Sequence, residues 1–205
     1  MSIFGRIDGY AAADMLRMHT PGHKGRLDPR DVTEIEEVFP LDAVETAEAE
    51  AARAYGVPHL RFLTGGSSAG VKAAILSAPG PILAENISHR SVEEGAALAG
   101  KKLFRLTRAL SDGLHVPPTA DEVLAAARAC GAGTVVLTSP DYYGRVVDDG
   151  VFAAVKAAGY TLIVDGAHGA HFAFSPLFPT PPCRFADLCN MSAHKTLGAY
   201  TQSAF

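Results

Sequence analysis

The sequence predicts an α/β protein, a three-layer arrangement in which helices cover a mainly parallel sheet. Two observations carry this. From about Leu41 onward, short β-branched or apolar runs alternate with Ala-rich segments of helical character, which is the signature of repeated strand and helix units. The 205 residues, 48% hydrophobic and 20% charged, also suffice for a sizeable core of the ordinary globular kind.

Taken in order, the runs place strands at residues 59–64, 81–85, 102–106, Thr134–Thr138, 160–165 and 185–191. Helices are expected at Ala43–Tyr55, 67–77, 89–99, 119–129 and 148–158. The fourth helix has the clearest start: Val116-Pro117-Pro118 breaks any regular element, Thr119 is an N-cap, and Glu122 three residues on completes a capping box. Residues 1–40 read as a loop-rich arm, because Thr20-Pro21-Gly22-His23-Lys24-Gly25 and Asp28-Pro29 deny long periodicity. Residues 41–205 read as one domain. The proline-rich stretch from Ser175 to Cys183 reads as a loop over the surface or over a site. The chain stops at Phe205, ten residues after Lys195 and within an ordered-looking segment, so the domain reads as unfinished at its C-terminal end.

Several function classes are disfavoured. A net charge of -4 built from interspersed acids and bases is unlike the basic footprint of a nucleic-acid binder. Every apolar stretch is broken by Gly, Pro, Arg or Asp well before about 18 residues, which argues against a membrane span. Cys130, Cys183 and Cys189 lack the paired spacing of a zinc site, and the chain opens with no signal-like segment, so a reducing cytoplasm is expected.

Three segments are candidates for chemistry. Thr64-Gly65-Gly66-Ser67-Ser68-Ala69-Gly70 joins a predicted strand to a predicted helix, where small residues, hydroxyls and a helix N-terminus suit a phosphate; a plain turn with Ser67 as N-cap is the alternative. Asp165 ends the apolar run Ile163-Val164, a position that in open α/β sheets faces the ligand crevice. A carboxylate there can pair with a protonated ring nitrogen, bond its own backbone before Gly166, or join His168 and His171 around a metal, although that spacing lacks a full ligand set. Lys195, in Ser192-Ala193-His194-Lys195-Thr196-Leu197-Gly198, follows the predicted strand 185–191 and is placed to become the desolvated amine that a Schiff-base lysine needs; a solvated surface lysine is the alternative. A phosphate cradle, an acid at a strand end and a lysine after a later strand, in that order, are what pyridoxal phosphate requires. No metal is expected.

These motifs, together with His19-Thr20-Pro21-Gly22-His23-Lys24-Gly25, Ser88-His89-Arg90-Ser91 and Leu137-Thr138-Ser139-Pro140-Asp141-Tyr142-Tyr143-Gly144, give the chain a resemblance to the major domain of the bacterial ornithine/lysine/arginine decarboxylases, which are fold-type I pyridoxal-phosphate enzymes. The resemblance covers nearly the whole chain. It implies that Lys195 holds the cofactor, that Asp165 pairs with the ring nitrogen, and that His89 stacks on the ring. It also implies that Ser67, Ser68, Ser192 and His194 bind the phosphate, that Ala69 and Ala167 belong to the cofactor-binding set, and that His168 lies near the ring. His89 is otherwise an ordinary histidine at a helix start. The implied reaction is decarboxylation of arginine, lysine or ornithine to an amine and carbon dioxide, as in polyamine precursor synthesis. The implied partners are the amino-acid substrate and a second copy in a homodimer or higher homo-oligomer. His19, His23 and Lys24 would lie near the substrate entrance or a neighbouring subunit, or in a loop held by Pro21 and Gly22. The chain departs from the pattern at Gly166, where Glu is commoner, and at Asp141, where Thr is usual; the family's remaining sheet and small C-terminal domain are not in this sequence. Another fold-type I activity, such as an aminotransferase or lyase, and a non-catalytic cofactor-binding or assembly protein are the competing readings.

Overall fold

A computed structural model describes residues 2–13, 15–18, 23–33, 35, 38, 40 and 42–205. The chain divides into two compact units, Met1–Ala54 with Pro58–Leu60, and Tyr55–Val57 with Arg61–Phe205.

In the first unit, helix α1 (Ile3–Ala12) lies inside the stretch expected to be loop-rich. The Ser2 hydroxyl caps it, accepting the Gly5 N–H at 3.2 Å. Val32, Ile35 and Val38 form a small apolar cluster against Ile7 and Tyr10. Helix α2 (Ala43–Tyr55) has the expected bounds, with Glu45 in its first turn and Arg53 in its last, each complementing the helix dipole.

The second unit holds the sheet. In chain order come α3 (Gly66–Ser77), β1 (Ile82–Glu85), α4 (Arg90–Leu98), β2 (Leu103–Leu106), β3 (Leu110–Ser111), β4 (Leu114–His115), α5 (Ala120–Cys130), β5 (Thr134–Thr138), α6 (Asp149–Ala157), β6 (Thr161–Asp165), β7 (Leu188–Asn190) and α7 (Ala193–Thr196). Five strands pair in the order β2-β1-β5-β6-β7, all parallel. Successive side chains of a strand face opposite sides. Leu83, Val135, Leu137, Leu162 and Val164 accordingly pack with α5 and α6, while Ile82, Ala84, Val136 and Ile163 pack with α3 and α4. Both faces are buried, hence the unbroken apolar runs. This is the predicted three-layer α/β architecture.

The capping box forms as read: Thr119 Oγ1 accepts the Glu122 N–H at 3.3 Å and the Glu122 carboxylate accepts the Thr119 N–H at 2.7 Å. Two expected strands differ. Residues 59–64 form no strand; only Leu63 pairs, in a single bridge to Ala204. The strand expected at 185–191 shrinks to β7, because the N–H groups of Phe185 and Ala186 bond back to the Pro182 carbonyl at 3.1 and 3.3 Å, and Asp187 spends its carboxylate on the Leu162 N–H at 2.8 Å and on Lys156. The hairpin β3–β4 was not foreseen; Asp112 and Gly113 form its turn with φ of 53° and 77°.

Candidate active site

The carboxyl ends of β1, β5, β6 and β7 carry Glu85, Thr138, Asp165 and Asn190. Beside them lies a cavity of about 220 Å³, lined by the start of α3, His89 at the start of α4, the ends of β5 and β6, and Ser192, His194 and Lys195. Local rules bring these elements together. Gly66 begins α3 at φ +73°, a conformation that suits glycine. Gly70 lets α3 approach β7 closely, since an added Cβ would meet the Asn190 side-chain oxygen and Leu63 Cδ1, the latter at 2.6 Å. Tyr55 anchors the loop after β6 from beneath, its buried hydroxyl donating to the Ala170 carbonyl at 2.7 Å.

At the start of α3, Ser67 lines the cavity and does not cap the helix. Gly65 is the N-cap, no side chain caps the first turn, and the Ser67 hydroxyl instead bonds to that of Ser192. The N–H groups of the first turn therefore keep their capacity for an anion. Ser68 and His194 line the same cavity, His194 with Nδ1 donating to the Ser203 carbonyl at 3.1 Å. Ala69 does not line it; its side chain is exposed, and from the first turn of α3 it has only a backbone N–H to offer.

Asp165 is 4% exposed. One oxygen accepts the Ala167 N–H at 3.2 Å, so the self-bonding turn considered from sequence does form, while the carboxylate also lines the cavity. Burial pushes the carboxyl above the usual range, opposed by the Ala167 N–H and by the positive charge of Lys195, His89 and His168. His89 caps α4, its Nδ1 accepting the Ser91 N–H at 3.2 Å, and lines the cavity as well. His89 is thus a helix-start histidine that also lines the cavity.

His168 and Lys195 meet across the cavity, with Nε2 and Nζ 3.4 Å apart. Burial and the Lys195 charge hold the imidazole below the ordinary histidine range. Lys195 itself lines the cavity but is exposed rather than desolvated. His171 turns away from Asp165 and packs edge-on against Phe172 and Phe178, with ring centroids at 4.8 and 4.6 Å. Among the described residues, no three histidine, cysteine or acidic side chains are grouped to hold a metal. Of the N-terminal motif, His19, Thr20, Pro21 and Gly22 lie outside the described residues. His23 bonds Asp31 at 3.0 Å and Lys24 donates to the Met18 carbonyl at 3.2 Å, both within the first unit.

Sequence reasoning missed Thr138, Tyr142 and Gln202 as lining residues. Thr138 had a usable signal as a hydroxyl at a strand's carboxyl end, and among the described residues its buried Oγ1 has no hydrogen-bond partner. Gln202 had none.

No family model matches the chain. It is 33% identical to the uncharacterised protein YaaO of Bacillus subtilis over 91% of its own length and 44% of that protein's. It is 24% identical to an arginine decarboxylase of Bacillus anthracis over 98% of itself and 46% of that enzyme. The chain thus spans a little under half the length of these relatives. Lysine decarboxylase A from Pseudomonas aeruginosa superposes over 98% of this chain and 34% of its own, with a TM-score of 0.73 and 20% identity. The fold is that of the fold-type I pyridoxal-phosphate enzymes. The cavity lies at the carboxyl edge of the parallel sheet. Among the described residues no helix is long and apolar enough to cross a membrane.

Proposed function

We propose that the chain carries the cofactor-binding part of a pyridoxal-phosphate-dependent decarboxylase acting on arginine, lysine or ornithine. One observation carries the reading: Lys195, His168 and Asp165, from separate elements, line one cavity with the serine-bearing start of α3. The relatives named arginine decarboxylase support the reaction class.

The donor set suits the cofactor. The α3 N-terminus with Ser67, Ser68, Ser192 and His194 offers N–H and hydroxyl donors to a phosphate. The buried Asp165 is an acceptor for a protonated ring nitrogen, and a positive charge there would relieve its burial penalty. His89 supplies a flat ring, and Lys195 an amine able to form a covalent bond to an aldehyde. When bound, pyridoxal phosphate supplies a ring that accepts the electron pair left as carbon dioxide departs.

The chain's own residues manage protons and orientation. An ammonium on Lys195 can only donate, so a neutral His168 accepts through Nε2 and carries its proton on Nδ1. The pair can pass a proton directly between amine and imidazole. Tyr142, with its ring 4.9 Å from that of His168, covers the imidazole on one side. A homodimer remains our expectation for the assembly.

The test is incubation with pyridoxal phosphate and each of the three amino acids, following carbon dioxide and amine release. Release from one of them supports the reading. Transfer of the amino group to a keto acid without carbon dioxide replaces it with the aminotransferase reading. Cofactor binding with neither reaction favours a non-catalytic role.

A further inference from the structure

The sheet changes direction of growth between β1 and β5: from β1 the chain adds β2 on one side, then adds β5, β6 and β7 on the other. Ligands of open parallel sheets lodge beside the strand ends at such a point. Here the place is filled by protein. Arg108, on the segment after β2, is 2% exposed. Its Nε donates to Glu85 Oε1 at 2.6 Å, and its terminal nitrogens donate to Asp141 Oδ2 at 3.0 Å and to the Thr138 carbonyl at 2.9 Å. The remaining carboxylate oxygens are used as well. Glu85 Oε2 accepts the Thr138 N–H at 2.7 Å, and Asp141 Oδ1 accepts the N–H groups of Tyr143 at 2.9 Å and Arg145 at 3.0 Å. The three side chains tie together the segments that leave β1, β2 and β5.

A buried ion network is a weak source of stability, since apolar side chains of like volume often serve as well. What this one fixes is geometry. Asp141 lies between two residues that flank His168: Pro140, whose Cδ packs close against Gly169, the residue after His168, and Tyr142, whose ring lies 4.9 Å from the imidazole and is tilted 59° to it. On the far side of the imidazole, Nε2 faces Lys195.

We propose that the Glu85–Arg108–Asp141 triad is a positioning device for His168, fixing the loop from Ser139 to Tyr142 so that the imidazole is held with Nε2 toward Lys195. The proposal deepens the cofactor reading and rests on it for the role of Lys195. The charged groups that face His168 are Lys195 on α7, Asp165 at the end of β6 and Asp141 on the loop after β5, with the Tyr142 ring from that same loop. Of these, Asp141 and Asp165 favour the protonated ring, whereas Lys195 and burial oppose it.

The test is an NMR titration of the His168 imidazole in the full chain without added cofactor, for the unaltered protein and for Asp141→Asn and Tyr142→Ala. The asparagine keeps the acceptor for Tyr143 and Arg145 but loses the negative charge, so the His168 midpoint moves down. Tyr142 is 60% exposed, so its truncation leaves the core intact. Loss of its ring opens His168 to water and moves the midpoint up, toward the ordinary value. Opposite displacements in the two folded variants are the expected result. A His168 midpoint that stays in place in both overturns the proposal. So does a shift of both in one direction, which would mean that the loop merely loosens. Should Asp141→Asn fail to fold, Tyr142→Ala decides alone, and an unmoved midpoint sinks the idea. Because the titration needs no cofactor, failure of the cofactor reading registers separately, as absence of pyridoxal phosphate on Lys195.

Discussion

Lys195 Nζ and His168 Nε2 face each other at 3.4 Å across the cavity, although 27 residues separate them in sequence. Burial and the neighbouring amine favour the neutral imidazole, which can then serve as a base. Replacing His168 by Gln is expected to lower amine formation by about 10²–10⁴-fold while Lys195 still captures the cofactor. In the unaltered protein, the acidic limb of the rate profile should fall below the ordinary histidine value of about 6.5. Turnover assays across pH check both statements.

Burial of the Asp165 carboxyl costs stability at neutral pH. The carboxyl is pushed up by burial, so in the folded chain it holds its proton to a higher pH than in the unfolded chain. The unfolded state then binds fewer protons, and stability falls as pH rises from the ordinary carboxylate range through the raised folded value. Asp165→Asn removes that penalty. The variant should melt higher than the unaltered protein at neutral pH without cofactor, by roughly 2–4 °C for each kcal/mol relieved, and should lose the gain at low pH. It should also hold pyridoxal phosphate poorly. Thermal melts at two pH values, with and without cofactor, provide the check.

The start of α3 and Ser192 are assigned to the phosphate, which a comparison of ligands can isolate. Ser67→Ala or Ser192→Ala should each weaken pyridoxal phosphate by roughly tenfold, the worth of one hydrogen bond to a charged group. The affinity for pyridoxal, which lacks the phosphate, should hardly change. Equal losses for the two ligands would place the serines elsewhere on the cofactor.

Removing Arg108 strands two buried carboxylates. Arg108→Met is expected to cost about 3–5 kcal/mol. Glu85 is already pushed up by burial and lowered by Arg108, so without the guanidinium its folded-state value rises further. By the linkage argued for Asp165, the loss should be larger at pH 8 than at pH 5. Denaturant melts at those two values measure it.

The layers were legible because both faces of the sheet are buried. Thr134–Thr138 is an unbroken apolar run with hydroxyl ends, and it became a strand with the expected bounds. Thr119 and Glu122 marked a helix start through backbone chemistry that is purely local. Where tertiary pairing decided, the reading failed: residues 59–64 look like a strand but pair only through Leu63, in one bridge to Ala204, and the run 185–191 loses its start to the turn begun by Pro182. The Asp112-Gly113 turn carried a hairpin signal, yet flanking strands of two residues were too short to read. In the site, Lys195, Asp165 and His168 stood out through motif order. The Glu85–Arg108–Asp141 network did not, since 23 and 33 residues separate Arg108 from its partners and isolated charges look like surface.

The central claim is that Lys195 is the residue that captures pyridoxal phosphate. Borohydride reduction of the chain after incubation with the cofactor, followed by peptide mass spectrometry, tests it directly. The account predicts a pyridoxyl group on Lys195, abolished by Lys195→Ala and unaffected by loss of other lysines. A folded chain with Lys195 unlabelled, or with label scattered over its surface lysines, would contradict it.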